Sequence, residues 1–134
     1  MENTHYISSD LLSIETINTI ISNDYKLALS EEAKVNIVKC RSYLDAKMLS
    51  NDEPIYGINT GFGSLCNTQI SNEDLEKLQE NLVKSHACGM GDEVPSEVVK
   101  YILYLKIRGL SYGFSGVSVE LIERLILLYN EDCL

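Results

Sequence analysis

Apolar residues recur along most of this chain at spacings of three and four, the period of helices with one face turned inward. Between about Ser9 and Asn23, the residues Leu11, Leu12, Ile14, Ile17, Ile20 and Ile21 predict a short helix after a loose start. Ser30 followed by Glu31 and Glu32 reads as a helix start with acids at the positive end of the dipole. The stripe Ala33, Ile37, Cys40, Leu44 and Met48 carries that helix to about Leu49. Asn51-Asp52-Glu53-Pro54 stops it, because the residue before a proline is pushed out of the helical region.

The strongest local start follows at Ile70-Ser71-Asn72-Glu73-Asp74-Leu75, with Ser71 as cap, Asp74 closing a capping box and Ile70 stapled against Leu75. Leu75, Leu78, Leu82 and His86 form the inward stripe of this helix, and Glu73 with Lys77 and Glu80 with Lys84 mark its solvated side. Gly89-Met90-Gly91 ends it. Pro95 and Ser96 open a further helix that is apolar nearly all round from Val98 to Ile107, a pattern of burial, and Gly109 and Gly113 loosen its end. Ser118 with Glu120 opens the last helix, which carries Ile122, Leu125, Ile126 and Tyr129 on one face. The expectation is a mostly α chain of about five helices, organised as a single domain over residues 1–134.

One stretch breaks the helical pattern. Tyr56-Gly57-Ile58-Asn59-Thr60-Gly61-Phe62-Gly63 places three glycines in eight residues, which allows positive φ or a close approach of backbone to a ligand. A phosphate cradle does not fit, since no lysine or helix start follows at phosphate-binding spacing and the net charge is −9. That charge, with a pI near 4.6, also argues against nucleic acid and anionic membrane surfaces as partners. No run of 18 apolar residues is present, which excludes a transmembrane helix, and Met1-Glu2-Asn3-Thr4-His5 lacks the features of a signal peptide. A cytoplasmic location with reduced thiols is expected. The four cysteines, Cys40, Cys66, Cys88 and Cys133, lie too far apart for a zinc site, and no metal is expected. They read as small apolar residues rather than nucleophiles. The close on Glu131-Asp132-Cys133-Leu134 puts acids at the negative end of a helix, and two consecutive helices with wide apolar surfaces ask for a cover, so further chain is expected to pack there.

The loop, together with Leu78-Gln79-Glu80-Asn81-Leu82, Ser85-His86-Ala87-Cys88-Gly89 and Gly113-Phe114-Ser115-Gly116-Val117, is similar in order and spacing to the N-terminal part of the aromatic amino acid lyase family, on its histidine-deaminating branch. The similarity covers roughly residues 30 to 134. It implies a helical fold of the fumarase/aspartase-like lyases, assembly into homotetramers, and removal of ammonia from L-histidine to give urocanate. It implies a methylidene-imidazolone prosthetic group formed from an internal Ala-Ser-Gly, a tripeptide that this chain does not contain. The expectation is therefore an N-terminal portion, inactive by itself, whose partner is the remainder of a parent chain.

By the same resemblance Tyr56 is the general base on a mobile lid, and His86 the residue that selects the substrate. Gly63 and Ser85 join His86 in substrate binding. A phenol with its ordinary pKa of about 10 needs neighbours that stabilise phenolate before it can act as a base. An imidazole can hydrogen-bond another imidazole, although spacing alone would make a histidine ending an apolar stripe a core residue. Gln79 and Asn81 lie on the helix of His86, where they either support the site or stand exposed. Arg108 stands where the family often has a small polar residue. The competing readings are a helical interaction module that binds through the apolar C-terminal helices, and a lyase or aminomutase acting on tyrosine or phenylalanine, against which Ser85-His86 speaks.

Overall fold

Two four-residue strands begin the fold, and neither is visible in the hydrophobic pattern. In the computed structural model, which describes residues 3–50, 53–61, 63–65, 68, 70–71 and 74–134, β1 (Thr4–Ile7) pairs in parallel with β2 (Lys26–Leu29), in the register Thr4 to Lys26 through Ile7 to Leu29. Parallel strands need a crossover, and α1 (Ile14–Ser22) supplies it. Ser13 caps α1 by accepting the Thr16 N–H at 3.2 Å, so this helix begins five residues after the expected Ser9.

By contact the chain forms two compact units, Met1–Met48 with Val94–Leu134, and Leu49–Glu93. In the first, α2 (Glu31–Ser50) starts where expected, with Ser30 Oγ accepting the Ala33 N–H at 3.1 Å. Its stripe faces inward: Ala33 and Ile37 are buried, and Cys40, Leu44 and Met48 are half-buried. α4 (Ser96–Ser111) runs unbroken through Gly109. It is not buried all round, since Tyr104, Ile107 and Leu110 are in the core whereas Val98, Ile102 and Leu105 are exposed. α5 (Val119–Asn130) begins at Ser118, whose hydroxyl accepts the Leu121 N–H, and buries Ile122, Ile126 and Tyr129 as its stripe requires.

Long-range polar contacts tie the ends of this unit together. The Asn130 amide pairs with both backbone groups of Leu27, accepting its N–H at 2.8 Å and donating to its carbonyl at 3.0 Å. A side chain thereby takes the place of a neighbouring strand for that residue of β2. Arg108 is buried, and its guanidinium donates to the Tyr112 hydroxyl at 3.2 Å and to the Asp10 carbonyl. Beside it, the fully buried Tyr104 shares a hydrogen bond of 3.3 Å with His5 Nε2. After α4, Gly113 has φ 75°, and a Cβ there would stand 2.7 Å from the Asn36 carbonyl, so the turn can lie against α2 only with glycine.

In the second unit, α3 (Leu75–His86) starts later than the capping-box reading expects. The Ser71 hydroxyl donates to Asp74 Oδ2 at 2.7 Å, and Asp74 N–H bonds the Ser71 carbonyl at 3.0 Å, making a turn ahead of the helix. Glu80 accepts from Lys84 at 2.5 Å, as expected, and from Lys77 at 3.1 Å. The expected partner Glu73, like Phe62 and Cys66, lies outside the described residues.

Candidate functional site

The tyrosine loop is built as a pinned turn. The Ile55 carbonyl accepts from Ile58 N–H at 3.0 Å and from Asn59 N–H at 3.2 Å. This places Tyr56 and Gly57 at the two central positions of the reversal. Gly57 has φ 75°, the left-handed value that the third residue of a type II turn requires. Tyr56 is 64% exposed at the head of this turn.

Beneath it, Asn59 and Thr60 are buried, at 4% and 0% exposure. Asn59 Oδ1 accepts the Ile55 N–H at 2.6 Å, and Nδ2 donates to the Glu53 carbonyl at 3.2 Å. The Thr60 hydroxyl receives the Gly57 N–H at 3.4 Å and donates to the Gly61 carbonyl at 3.1 Å. Two backbone bonds, Ile70 N–H to the Asn59 carbonyl at 2.9 Å and Gly61 N–H to the Thr68 carbonyl at 3.1 Å, tie the far side of the loop. Gly63 opens a short 3-10 turn, Gly63–Leu65, with φ 58° and open space where a Cβ would stand.

The second group of site residues closes α3. Ser85 Oγ donates to the Leu82 carbonyl at 2.9 Å, His86 Nδ1 lies 2.8 Å from the same oxygen, and Ser85 Oγ and His86 Nδ1 are 3.0 Å apart. A carbonyl can only accept, so the Nδ1 contact assigns a proton to Nδ1, and in the neutral ring Nε2 is then the acceptor. His86 is exposed, unlike the core residue that spacing alone suggests. Leu75, Leu78 and Leu82 are half-buried below it. Gln79 and Asn81 are both exposed, and Asn81 lines a shallow hollow of about 320 Å³ with Ile70, Ser71, Asp74, Lys77 and Leu78.

The structure thus groups Tyr56 with Gly63 on one loop and Ser85 with His86 on one helix end. Asn59 and Thr60 were missed by sequence reasoning. The available signal was an Asn-Thr pair set between glycines, since short polar side chains of this kind bond nearby backbone at turns.

The 134 residues contain no Ala-Ser-Gly, the tripeptide whose cyclisation makes a methylidene-imidazolone. Among the described residues no group of three or more His, Cys, Asp and Glu could hold a metal ion, and no helix is long and apolar enough to cross a membrane.

The sequence profile described as "Aromatic amino acid lyase" matches residues 12–134. The histidine ammonia-lyase of Clostridium tetani is 40% identical over 119 residues, 89% of this chain, and the chain spans 23% of that relative's length. Among solved structures, the ergothioneine-degrading enzyme ergothionase of Treponema denticola, in complex with desmethyl-ergothioneine sulfonic acid, superposes with a TM-score of 0.87 at 25% identity, over 96% of this chain and 26% of that one. The histidine ammonia-lyase of Trypanosoma cruzi gives 0.79 at 26% identity, over 95% and 24%. This likeness places the fold with the aspartase-like lyases, and by the extent of the profile match the chain belongs to the aromatic amino acid lyase family.

Proposed function

We propose that this chain supplies the tyrosine loop and the substrate-selecting histidine of a cytoplasmic, homotetrameric histidine ammonia-lyase, an enzyme that removes ammonia from L-histidine to give urocanate. The observation that carries the reading is the 40% identity to a histidine ammonia-lyase over 89% of the chain, a stretch that includes an exposed tyrosine on a pinned turn and an exposed Ser85-His86 pair.

In this reading Tyr56 takes the substrate's β-proton, or a closely coupled one, from its place on the loop. His86 offers Nε2 as an acceptor to the substrate's imidazole N–H, its tautomer held by the Leu82 carbonyl. Ser85 steadies that ring, and Gly63 leaves room beside the loop for substrate. The electrophile belongs to further chain carrying Ala-Ser-Gly, so the 134 residues alone are inactive.

A hybrid enzyme tests this. Residues 12–134 exchanged for the matching segment of the Clostridium tetani enzyme should give a protein that forms urocanate from L-histidine, followed by ultraviolet absorbance, with L-tyrosine and L-phenylalanine poor substrates. Tyr56→Phe in the hybrid should lower turnover by about 10²–10⁴-fold with an unchanged circular dichroism spectrum. A folded hybrid that prefers tyrosine or phenylalanine would assign the chain to another branch of the family, and a near-normal Tyr56→Phe rate would remove the base. Urocanate formed by the isolated chain would refute the need for Ala-Ser-Gly.

A second reading, a helical interaction module, draws on the exposed apolar residues Val98, Ile102 and Leu105 of α4 and Leu121 and Leu127 of α5. The reading frame past Leu134 separates the two: an Ala-Ser-Gly within a few dozen codons favours the enzyme, and a stop codon favours the module.

A further inference from the structure

The buried amide of Asn59 is satisfied by backbone on the tyrosine side of the turn, and its geometry carries the reading above one step further. Asn59 Oδ1 holds the N–H of Ile55, the residue immediately before Tyr56, while Nδ2 holds the carbonyl of Glu53. Pro54 stands between these two contacts and has no N–H of its own to offer. The Asn59 N–H closes back on the Ile55 carbonyl, and its own carbonyl takes the Ile70 N–H. One residue thus bonds both the segment that enters the turn and the segment that returns beside it.

At 4% exposure, an amide that lost these partners would stay desolvated without compensation, so this arrangement is strongly preferred over others in which the loop base has moved. Tyr56, by contrast, is largely exposed. The loop therefore joins a hydrogen-bonded base to an exposed tyrosine. Proton transfer needs the phenolic oxygen within about 2.6–3.2 Å of the proton's carbon or its relay, and a misplacement of about 1 Å can cost about 10²-fold in rate.

We propose that Asn59 is the positioning residue of the tyrosine loop: its side-chain clamp on Glu53 and Ile55 fixes where Tyr56 stands before substrate arrives. This rests on the assignment of Tyr56 as the proton-transfer residue, but the clamp itself can be tested without it. Asn59 acts through Tyr56 and does not touch the reacting atoms.

The first test uses the whole 134-residue chain. Asn59→Ala should speed amide exchange at Ile55 and Asn59 by about tenfold or more while the amides of α4 and α5 exchange as before. Asn59→Asp keeps an oxygen for the Ile55 N–H but sets a second acceptor against the Glu53 carbonyl in place of the donor, so it should retain only part of the Ile55 protection. Unchanged exchange at Ile55 in Asn59→Ala would overturn the clamp, as would an equal acceleration in α4 and α5, which marks a general loss of stability.

The second test reads turnover in the hybrid enzyme. Asn59→Ala should lower kcat by about ten- to a hundredfold with KM changed by no more than about threefold, and Asn59→Asp should fall between it and the parent. In a Tyr56→Phe background the further loss from Asn59→Ala should vanish, because the group being positioned is gone. An undiminished further loss there would overturn the positioning role and leave Asn59 a structural residue. If Tyr56→Phe is itself harmless, the base assignment fails while the exchange result still decides the clamp.

Discussion

The two compact units differ in what they bury. Residues 1–48 and 94–134 enclose an apolar core in which Ile7, Ile37, Tyr104, Ile107 and Ile122 are at most 1% exposed. The unit Leu49–Glu93 is the reverse: α3 buries no residue fully, and the buried side chains described there belong to Asn59 and Thr60. Removal of apolar surface contributes about 25 cal/mol per Å² and has no direction, so it sets stability. Hydrogen bonds contribute only about 0.5–1.5 kcal/mol net, but they are directional, so they set position. In the proposed reading this unit holds one phenol in place, a task that gains more from the second kind of interaction than from the first.

The largest effect should come from the apolar side of this comparison. Ile107 is fully buried in the C-terminal half of α4, and Ile107→Ala removes its contacts and leaves a cavity. A loss of about 2–5 kcal/mol is expected, measured by urea denaturation of the 134-residue chain. A loss below about 1 kcal/mol would mean that this core does not set stability, and the contrast between the units would collapse.

A smaller effect, confined to one pH window, should come from the polar contact that enters this core. Burial, and then the positive charge of Arg108, lower the pKa of His5 from its usual 6.5. In the folded chain the ring shares a hydrogen bond with the Tyr104 hydroxyl, whose own pKa burial raises. The unfolded chain therefore binds a proton more readily, and stability rises with pH across this interval. The contribution is complete above about pH 6.5 and is lost as pH falls from there towards the lower folded value. The shifted carboxylates, Glu15, Asp24, Glu80 and Glu120, all lie below their usual 3.8–4.5, so they act at more acid pH. Thermal midpoints of His5→Gln and the parent chain, compared between pH 7 and pH 5, should converge or cross because only the parent loses stability there. Parallel curves would show that His5 takes no part in acid sensitivity.

The helical register was largely legible because it is a local property. Ser30 and Ser118 announce their helices, and the stripes they start, Ala33 to Met48 and Ile122 to Tyr129, face where their period says. Tyr56 and His86 entered as candidates through the family resemblance, whereas spacing alone would have set His86 in the core. The strands were not, since four residues are too few to show alternation and Leu27 is partnered by Asn130, 103 positions away. Nor could periodicity tell that Val98, Ile102 and Leu105 stay exposed, because a helix that is apolar all round does not indicate which face meets a neighbour. The start of α3 was misplaced because Ser71 and Asp74 bond each other in a turn ahead of the helix, an alternative that composition leaves open. Asn59 and Thr60 were not legible for a related reason: the backbone groups their side chains bond are brought within reach only by the folded turn.

The smallest effect should come from the apolar stripe of the second unit. Leu78 is half-buried on α3, where it lines an open hollow with Ile70, Asp74 and Asn81. Leu78→Ala leaves no closed cavity, since solvent already reaches the space, and alanine matches or exceeds leucine in helix propensity, so the backbone term is neutral or slightly favourable. What remains is the part of the side chain that is covered, a loss of less than about 1 kcal/mol and well under that of Ile107→Ala. Amide exchange across α3 should quicken slightly while that of the Asn59 clamp is unchanged, because the bonds at Ile55 and Ile70 involve no atom of Leu78. A loss of about 2 kcal/mol or more, or a loosened Ile55 amide, would show that apolar packing by α3 also positions the tyrosine loop, and the division between burial for stability and hydrogen bonds for position would have to be redrawn inside this unit.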